Sequence, residues 1–129
     1  MSVNMDMNIL IVDDFKTMLQ IMGSLLKQLG FKNIDEADSG TSALEKLRSG
    51  KDYGLIISDW NMEPVSGYQL LKEVRADDKL RDTPFIIMTG QNKTEHVIAA
   101  REAGVSNYVV KPFSAPMLKT KLAHVLGPF

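Results

Sequence analysis

Five positions in the 129-residue chain carry groups suited to phosphoryl chemistry: the carboxylates of Asp13, Asp14 and Asp59, the hydroxyl of Thr89 and the ammonium of Lys111. Each follows a short apolar run, namely Ile9-Leu10-Ile11-Val12, Leu55-Ile56-Ile57, Phe85-Ile86-Ile87-Met88 and Tyr108-Val109-Val110. Acids placed directly on apolar runs are costly to ionise out of water. Three of them together repel and raise one another's pKa unless a divalent cation or the Lys111 ammonium neutralises them. Oxygen donors without His or Cys favour a hard ion. Mg²⁺ suits them best, because it takes one or two carboxylates, keeps several waters and completes its octahedron with phosphate oxygens. A carboxylate beside such an ion can attack phosphorus, and the loose transition state asks mainly for positioning and charge neutralisation. On this reading Asp59 is the nucleophile, Lys111 neutralises one phosphoryl oxygen and Thr89 donates a hydrogen bond to another. Tyr108, three residues before Lys111, carries an amphipathic ring that could occupy either a solvent or a buried position, as a bistable reporter would.

The apolar runs are rich in β-branched residues and bounded by polar or turn residues, so they read as buried parallel strands. A weaker fifth strand, Ile34 to Ala37, has the polar neighbours expected nearer a sheet edge. Helical periods lie between them. Met18, Met22, Leu25, Leu26 and Leu29 form one apolar stripe ending at Gly30. Ala43, Leu44 and Leu47 precede Gly50; Leu70, Leu71 and Val74 follow Gly67; Val97, Ile98 and Ala100 precede Gly104; Leu118, Leu122, Val125 and Leu126 precede Gly127. Five strand–helix units require a parallel sheet with right-handed crossovers and helices on both faces, a three-layer α/β sandwich. In such sheets ligands bind beyond the carboxyl ends of the strands, where the five groups stand.

Composition narrows the function. Hydrophobic residues at 44% and charged residues at 24% suit a globular core, and the length suits one domain, residues 1–129 with a core of about 8–126. With 15 Lys+Arg against 16 Asp+Glu, there is no global positive field to drive nucleic-acid binding. The absence of cysteine excludes disulfides, thiolate zinc sites and thiol catalysis. No apolar stretch is long enough for a membrane span, and Met1 to Met7 lacks the basic region and apolar core of a signal peptide, so cytoplasm is the expected location.

Several residues admit a bland reading. An acid after a strand is commonly a helix cap or loop residue, Thr89-Gly90 alone would be a turn and Lys111-Pro112 a strand terminator; the joint pattern favours a site. Trp60 reads equally as a partner-binding anchor and as cover for the core edge. His96 and His124 lack metal-ligand spacing and read as helix-surface residues, with His96 a candidate to tune a docking face. Met18 and Met22 read as core filling.

Ile11-Val12-Asp13-Asp14-Phe15, Ile57-Ser58-Asp59-Trp60-Asn61-Met62, Thr89 and Tyr108-Val109-Val110-Lys111-Pro112-Phe113 together resemble the receiver domains of two-component response regulators, those of the chemotaxis (CheY) type above all, over residues 8 to 126. The resemblance implies a flavodoxin-like (βα)5 fold with a five-stranded parallel sheet. It implies phosphorylation of Asp59 by a CheA-like histidine kinase and Mg²⁺ held by Asp14, Asp59 and the Asn61 backbone carbonyl, with Asp13 acting largely through water. It also implies an activation switch of Thr89 and Tyr108, and a cis Lys111-Pro112 peptide. The expected output is docking by a monomeric, stand-alone receiver to the flagellar motor switch protein FliM through the last strands and fourth helix. Trp60, Gln91, Lys93, Tyr108 and Phe113 are candidates for that surface, and a phosphatase is a further expected partner. The chain departs from the pattern in three places. Glu63 separates Met62 from Pro64 and adds a carboxylate near the site; Gly90 removes a methyl over the path of Tyr108; and Gln91 replaces a glutamate that influences water access to the phosphoryl group.

The leading expectation is therefore a phosphoacceptor switch that catalyses its own phosphorylation and dephosphorylation. The same residues would serve a phosphate sink or phosphorelay intermediate. A Mg²⁺-dependent phosphohydrolase would share the nucleophile but need a general acid and a substrate pocket. A flavin carrier of similar fold would need a hydroxyl- and glycine-rich phosphate loop where Asp13-Asp14-Phe15 places negative charge.

Overall fold

The computed structural model describes residues 4–90, 94–110 and 114–127. Lys111, Gln91, Lys93, Phe113 and the Lys111-Pro112 peptide, all singled out above, lie outside them. Five strands and five helices alternate: β1 (Asn8–Val12), α1 (Lys16–Gln28), β2 (Asn33–Ala37), α2 (Gly40–Leu47), β3 (Leu55–Asp59), α3 (Gly67–Ala76), β4 (Phe85–Thr89), α4 (Thr94–Glu102), β5 (Asn107–Val110) and α5 (Ala115–Leu126). The sheet is parallel throughout, in the order β2-β1-β3-β4-β5. This is the flavodoxin-like (βα)5 fold, with the polar strand β2 at an edge as its composition requires.

Strand side chains alternate between faces, and both faces are apolar because both are covered. Ile9, Ile11, Leu55, Ile57, Ile86, Met88 and Val109 pack with Leu19, Met22 and Leu26 of α1 and Leu118 and Leu122 of α5. Leu10, Val12, Ile56, Phe85 and Ile87 face the other way, onto Ala43 and Leu47 of α2, Leu70, Leu71 and Val74 of α3, and Ala100 of α4.

Two details differ from the sequence reading. Asp59 and Thr89 are the last residues of β3 and β4 rather than the first beyond them, because their backbones stay in the ladder. The stripe of α1 is rotated by about one residue: Leu19 is buried and Met18 only half-buried, since the helix starts at Lys16 and turns Leu19, Met22 and Leu26 onto the sheet. That helix ends at Gln28 and is capped through Gly30, at φ 109°, with Phe31 N–H donating to Leu26 O and Gly30 N–H to Lys27 O, a Schellman closure that a residue with a Cβ enters only at a cost.

Away from the strand C-termini, Arg75 of α3 pins two loops. Its Nε donates to Gly104 O at 2.9 Å and an Nη to Thr83 O at 2.6 Å, which fixes the entries to β5 and β4, and burial lowers the guanidinium pKa. None of the helices among the described residues is long and apolar enough to cross a membrane.

Candidate functional site

The parallel register places the acids side by side. Val12 of β1 pairs with Ser58 of β3, so the next residues, Asp13 and Asp59, emerge at the same level of the sheet. One carboxylate oxygen each from Asp13, Asp14 and Asp59 lies within 4.8 Å of the other two. Asp13 and Asp59 are buried, at 1% and 6% exposure, while Asp14 faces solvent. The cluster therefore has a dry floor and an open rim. Asp13 Oδ1 accepts the Phe15 amide at 2.9 Å, and the Asp13 amide donates to Ala37 O, so this carboxylate is oriented by the turn that leads into α1.

Three carboxylate oxygens this close, with one side open to water, suit a hard cation that keeps part of its hydration shell. An open cleft of about 360 Å³ adjoins them, lined by Asp14, Trp60, Asn61, Met62, Glu63 and Ser66. The added carboxylate of Glu63 thus borders the site without belonging to the close cluster. Glu63-Pro64 is a cis peptide bond. A larger cleft of about 700 Å³ lies among the C-terminal ends of α2 and α3, at the other ends of the strands, and is lined by none of Asp13, Asp14, Asp59 and Thr89; chemistry rather than size identifies the site.

The loop after Asp59 is tightly held. The Trp60 amide donates to Met88 O at 3.0 Å, the Gly67 amide donates to Trp60 O at 3.0 Å, and a capping box between Ser66 and Gln69 starts α3. A Cβ on Gly67 would overlap the Asp59 carbonyl oxygen. Gly67, which the sequence reading treats only as a helix boundary, is therefore what lets α3 approach the backbone of the acidic residue.

Thr89 is 1% exposed at the end of β4, beside β3, where Asp59 pairs with Met88. Tyr108 of β5 pairs with Ile87, two residues before Thr89 on the same sheet face. Its half-buried ring packs with the α2–α4 side of the core, and its side chain hydrogen-bonds Thr89. Burial pushes the phenol pKa up, and the Thr89 hydrogen bond pulls it partly back. Tyr108 is thus placed inward, against Thr89.

Trp60 is half-buried and stacked on two rings, Tyr68 of α3 and His96 of α4. It is more a packed element than a free anchor. His96, expected on a plain helix surface, is instead half-buried in that stack. The sequence contains no local signal for this, because the two residues lie on different elements and share no periodicity.

The chain matches the model of the response regulator receiver domain over residues 9–123. It is 49% identical over 119 residues to the chemotaxis protein CheY-3 of Vibrio cholerae, covering 92% of this chain and 91% of that protein. It is 48% identical to the chemotaxis protein CheY of Pseudomonas aeruginosa, covering 92% and 95%. Among solved structures, chemotaxis response regulator CheY4 of Vibrio cholerae superposes with a TM-score of 0.85 at 29% identity, covering 94% of this chain and 99% of that one. A response regulator receiver domain protein of Clostridium thermocellum gives 0.81 at 27% identity, covering 93% and 94%.

Proposed function

This chain belongs to the response regulator receiver domain family, and from that premise we propose that it is a chemotaxis switch that takes a phosphoryl group onto Asp59 in a Mg²⁺-dependent reaction. Receivers of the CheY type are signalling proteins, which fits a role in phosphoacceptor signalling rather than turnover of a separate substrate. The observation that carries the reading is the triad of carboxylate oxygens within 4.8 Å, with the buried Asp59 between the ends of β1 and β4.

Asp14, Asp59 and the Asn61 carbonyl are the proposed Mg²⁺ ligands, with Asp13 acting largely through water. A bound Mg²⁺ supplies positive charge to the acids and to phosphoryl oxygens, easing nucleophilic approach by a carboxylate. The chain's own groups do the rest. An Asp59 carboxylate oxygen bonds to phosphorus as the bond between phosphorus and the donor, a kinase phosphohistidine or a small phosphodonor, breaks. Hydrolysis of the acyl phosphate by water later restores the carboxylate and releases phosphate. Thr89 donates its hydroxyl to a phosphoryl oxygen, and Lys111 neutralises another. Recruitment of Thr89 would draw it from Tyr108, so the Thr89–Tyr108 hydrogen bond is the proposed switch.

For the output we propose docking to a protein partner, the motor switch protein FliM, with a CheA-like histidine kinase upstream and a phosphatase as a further partner, in the cytoplasm. Identity to chemotaxis proteins over more than nine-tenths of their own length supports this reading. The proposed contact surface runs over Trp60, Gln91, Lys93, Tyr108 and Phe113.

Incubation with Mg²⁺ and a small phosphodonor tests the first step. Label is expected on Asp59 and absent from Asp59→Asn, and equal labelling of that variant overturns the assignment. Phosphorylated protein is then expected to bind a motor-switch N-terminal peptide more tightly than the unphosphorylated form. Equal binding would identify a phosphate sink or relay intermediate instead.

A further inference from the structure

Trp60 joins the acidic site to a helix that otherwise has little hold on the core. Its backbone is fixed at both groups, the amide on Met88 O and the carbonyl on the Gly67 amide, so the indole is carried rigidly by the loop that begins at Asp59. The His96 imidazole lies almost parallel to it, with ring centroids 4.4 Å apart and planes 7° from parallel; Tyr68 stacks at 5.2 Å and 13°. Lys72 Nζ stands 5.1 Å from the Tyr68 ring centre, adding a cation–π contact at the far member of the set. Among the described side chains of α4 only Ala100 is buried, and Ile98 is half exposed. His96 Nδ1 is buried without a hydrogen-bond partner among the described residues. Burying such an atom costs free energy unless the ring gains elsewhere, and the gain available here is the stack itself.

We propose that His96 is a positioning residue: stacked on Trp60, it couples α4 to the loop directly after Asp59, so that occupancy of the acidic site and placement of α4 bias each other. This rests on the reading of Asp59 as the phosphoacceptor. Coupling of this kind is reciprocal, so a ligand of α4 whose affinity depends on occupancy of the acids changes affinity at the acids by the same factor.

Trp60 is the single tryptophan of the chain, so its fluorescence reports the stack directly. The test compares wild type, His96→Ala, His96→Leu and His96→Phe, each checked for folding by circular dichroism. Acrylamide quenching of Trp60 and the response of α4 amide resonances to added Mg²⁺ are the readouts. Loss of the ring in the Ala and Leu variants is expected to increase quenching of Trp60, to change Mg²⁺ affinity by about two- to tenfold, the range of one aromatic stack, and to shrink the α4 response. His96→Phe keeps a flat ring without the buried nitrogen and is expected to behave as wild type. His96→Leu retains apolar bulk and keeps the test open if the Ala variant unfolds. Unchanged quenching and an unchanged α4 response in the folded Leu variant overturn the proposal, as does a Phe variant that behaves like Leu. Phosphodonor labelling of Asp59 in the wild-type protein separates the two readings: missing label refutes the phosphoacceptor reading, and normal label with unchanged Trp60 quenching and α4 response in the folded Leu variant refutes the coupling.

Discussion

Thr89 and Tyr108 are hydrogen-bonded through their side chains across two adjacent parallel strands. The register makes this contact possible. Tyr108 stands opposite Ile87, so Thr89 is the next residue on the same face of β4 toward the carboxyl end, within reach of a long phenol. Thr89, at the end of the strand next to the acid-bearing β3, is thereby tied to the edge strand β5.

Replacing Thr89 with Val is expected to raise the Tyr108 pKa further. Burial already holds the phenol above the ordinary value of 10.0, and the Thr89 hydrogen bond is the contribution that lowers it. A raised folded-state pKa means that the neutral phenol stabilises the fold below the unfolded-state value, and that this contribution is lost as pH rises through the folded one. Alkaline absorbance titration, with Tyr108→Phe subtracted, measures the shift. A downward shift in Thr89→Val would show that the hydrogen bond acts in the opposite sense. The lost bond is expected to cost about 1 kcal/mol.

The three acids are expected to contribute unequally to ion binding. Removing the charge of Asp59 or Asp14, as Asn, should weaken Mg²⁺ by on the order of tenfold or more, equivalent to about 1.4 kcal/mol. Asp13→Asn should weaken it less, because Asp13 Oδ1 already accepts the Phe15 amide. Calorimetric titration with Mg²⁺ ranks the three. An Asp13 variant weaker than the other two would make Asp13 a direct ligand.

Gly67→Ala and Gly90→Ala should differ sharply. A methyl on Gly67 meets backbone, the Asp59 carbonyl, and can be accommodated only by moving the start of α3 or the end of β3; overpacking of this sort costs about 1–3 kcal/mol. At Gly90 a methyl meets no described atom within 4 Å and no left-handed φ, so the change should stay within about 0.5 kcal/mol. Urea unfolding of both variants checks the contrast, and equal stabilities would contradict the close approach of α3 to Asp59.

Asp35, on the edge strand β2, accepts from Lys51 Nζ at 2.7 Å and from the Tyr53 hydroxyl at 2.7 Å. The hydrogen bond from Lys51, then that from Tyr53, holds its pKa below the ordinary 3.8, while burial first and the Asp35 carboxylate second push that of Tyr53 up. A depressed carboxylate pKa stabilises the fold above the unfolded value and is lost as pH falls through the folded one. Asp35→Asn should therefore destabilise the protein by about 1 kcal/mol at neutral pH, discounted for partial exposure. The difference should shrink below pH 3.8. A difference independent of pH across that range would assign the effect to packing instead of charge.

The five strand–helix units, the edge position of β2 and the gathering of Asp13, Asp14, Asp59 and Thr89 at one end of the sheet were all legible in the chain. Those features follow from short-range periodicities and from the rule that successive parallel strands end on the same side. The helix phase of α1 was legible only to within a residue, because Met18 and Leu19 are both apolar and the sheet decides which one it buries.

What the tertiary structure alone decided concerns residues on separate elements. Trp60 and His96 carry no shared pattern in the sequence, and their rings meet only because α3 and α4 lie over the same sheet face. Gly67 marks a helix start in the sequence, and only the folded chain sets it against the Asp59 carbonyl. Tyr108 could sit inward or outward on composition; the parallel register that aligns it with Ile87, one step from Thr89, supplies the partner that holds it in. Local propensity acts within a few residues, whereas contacts such as these depend on how whole elements pack, and that free energy is distributed over the core rather than written at either residue.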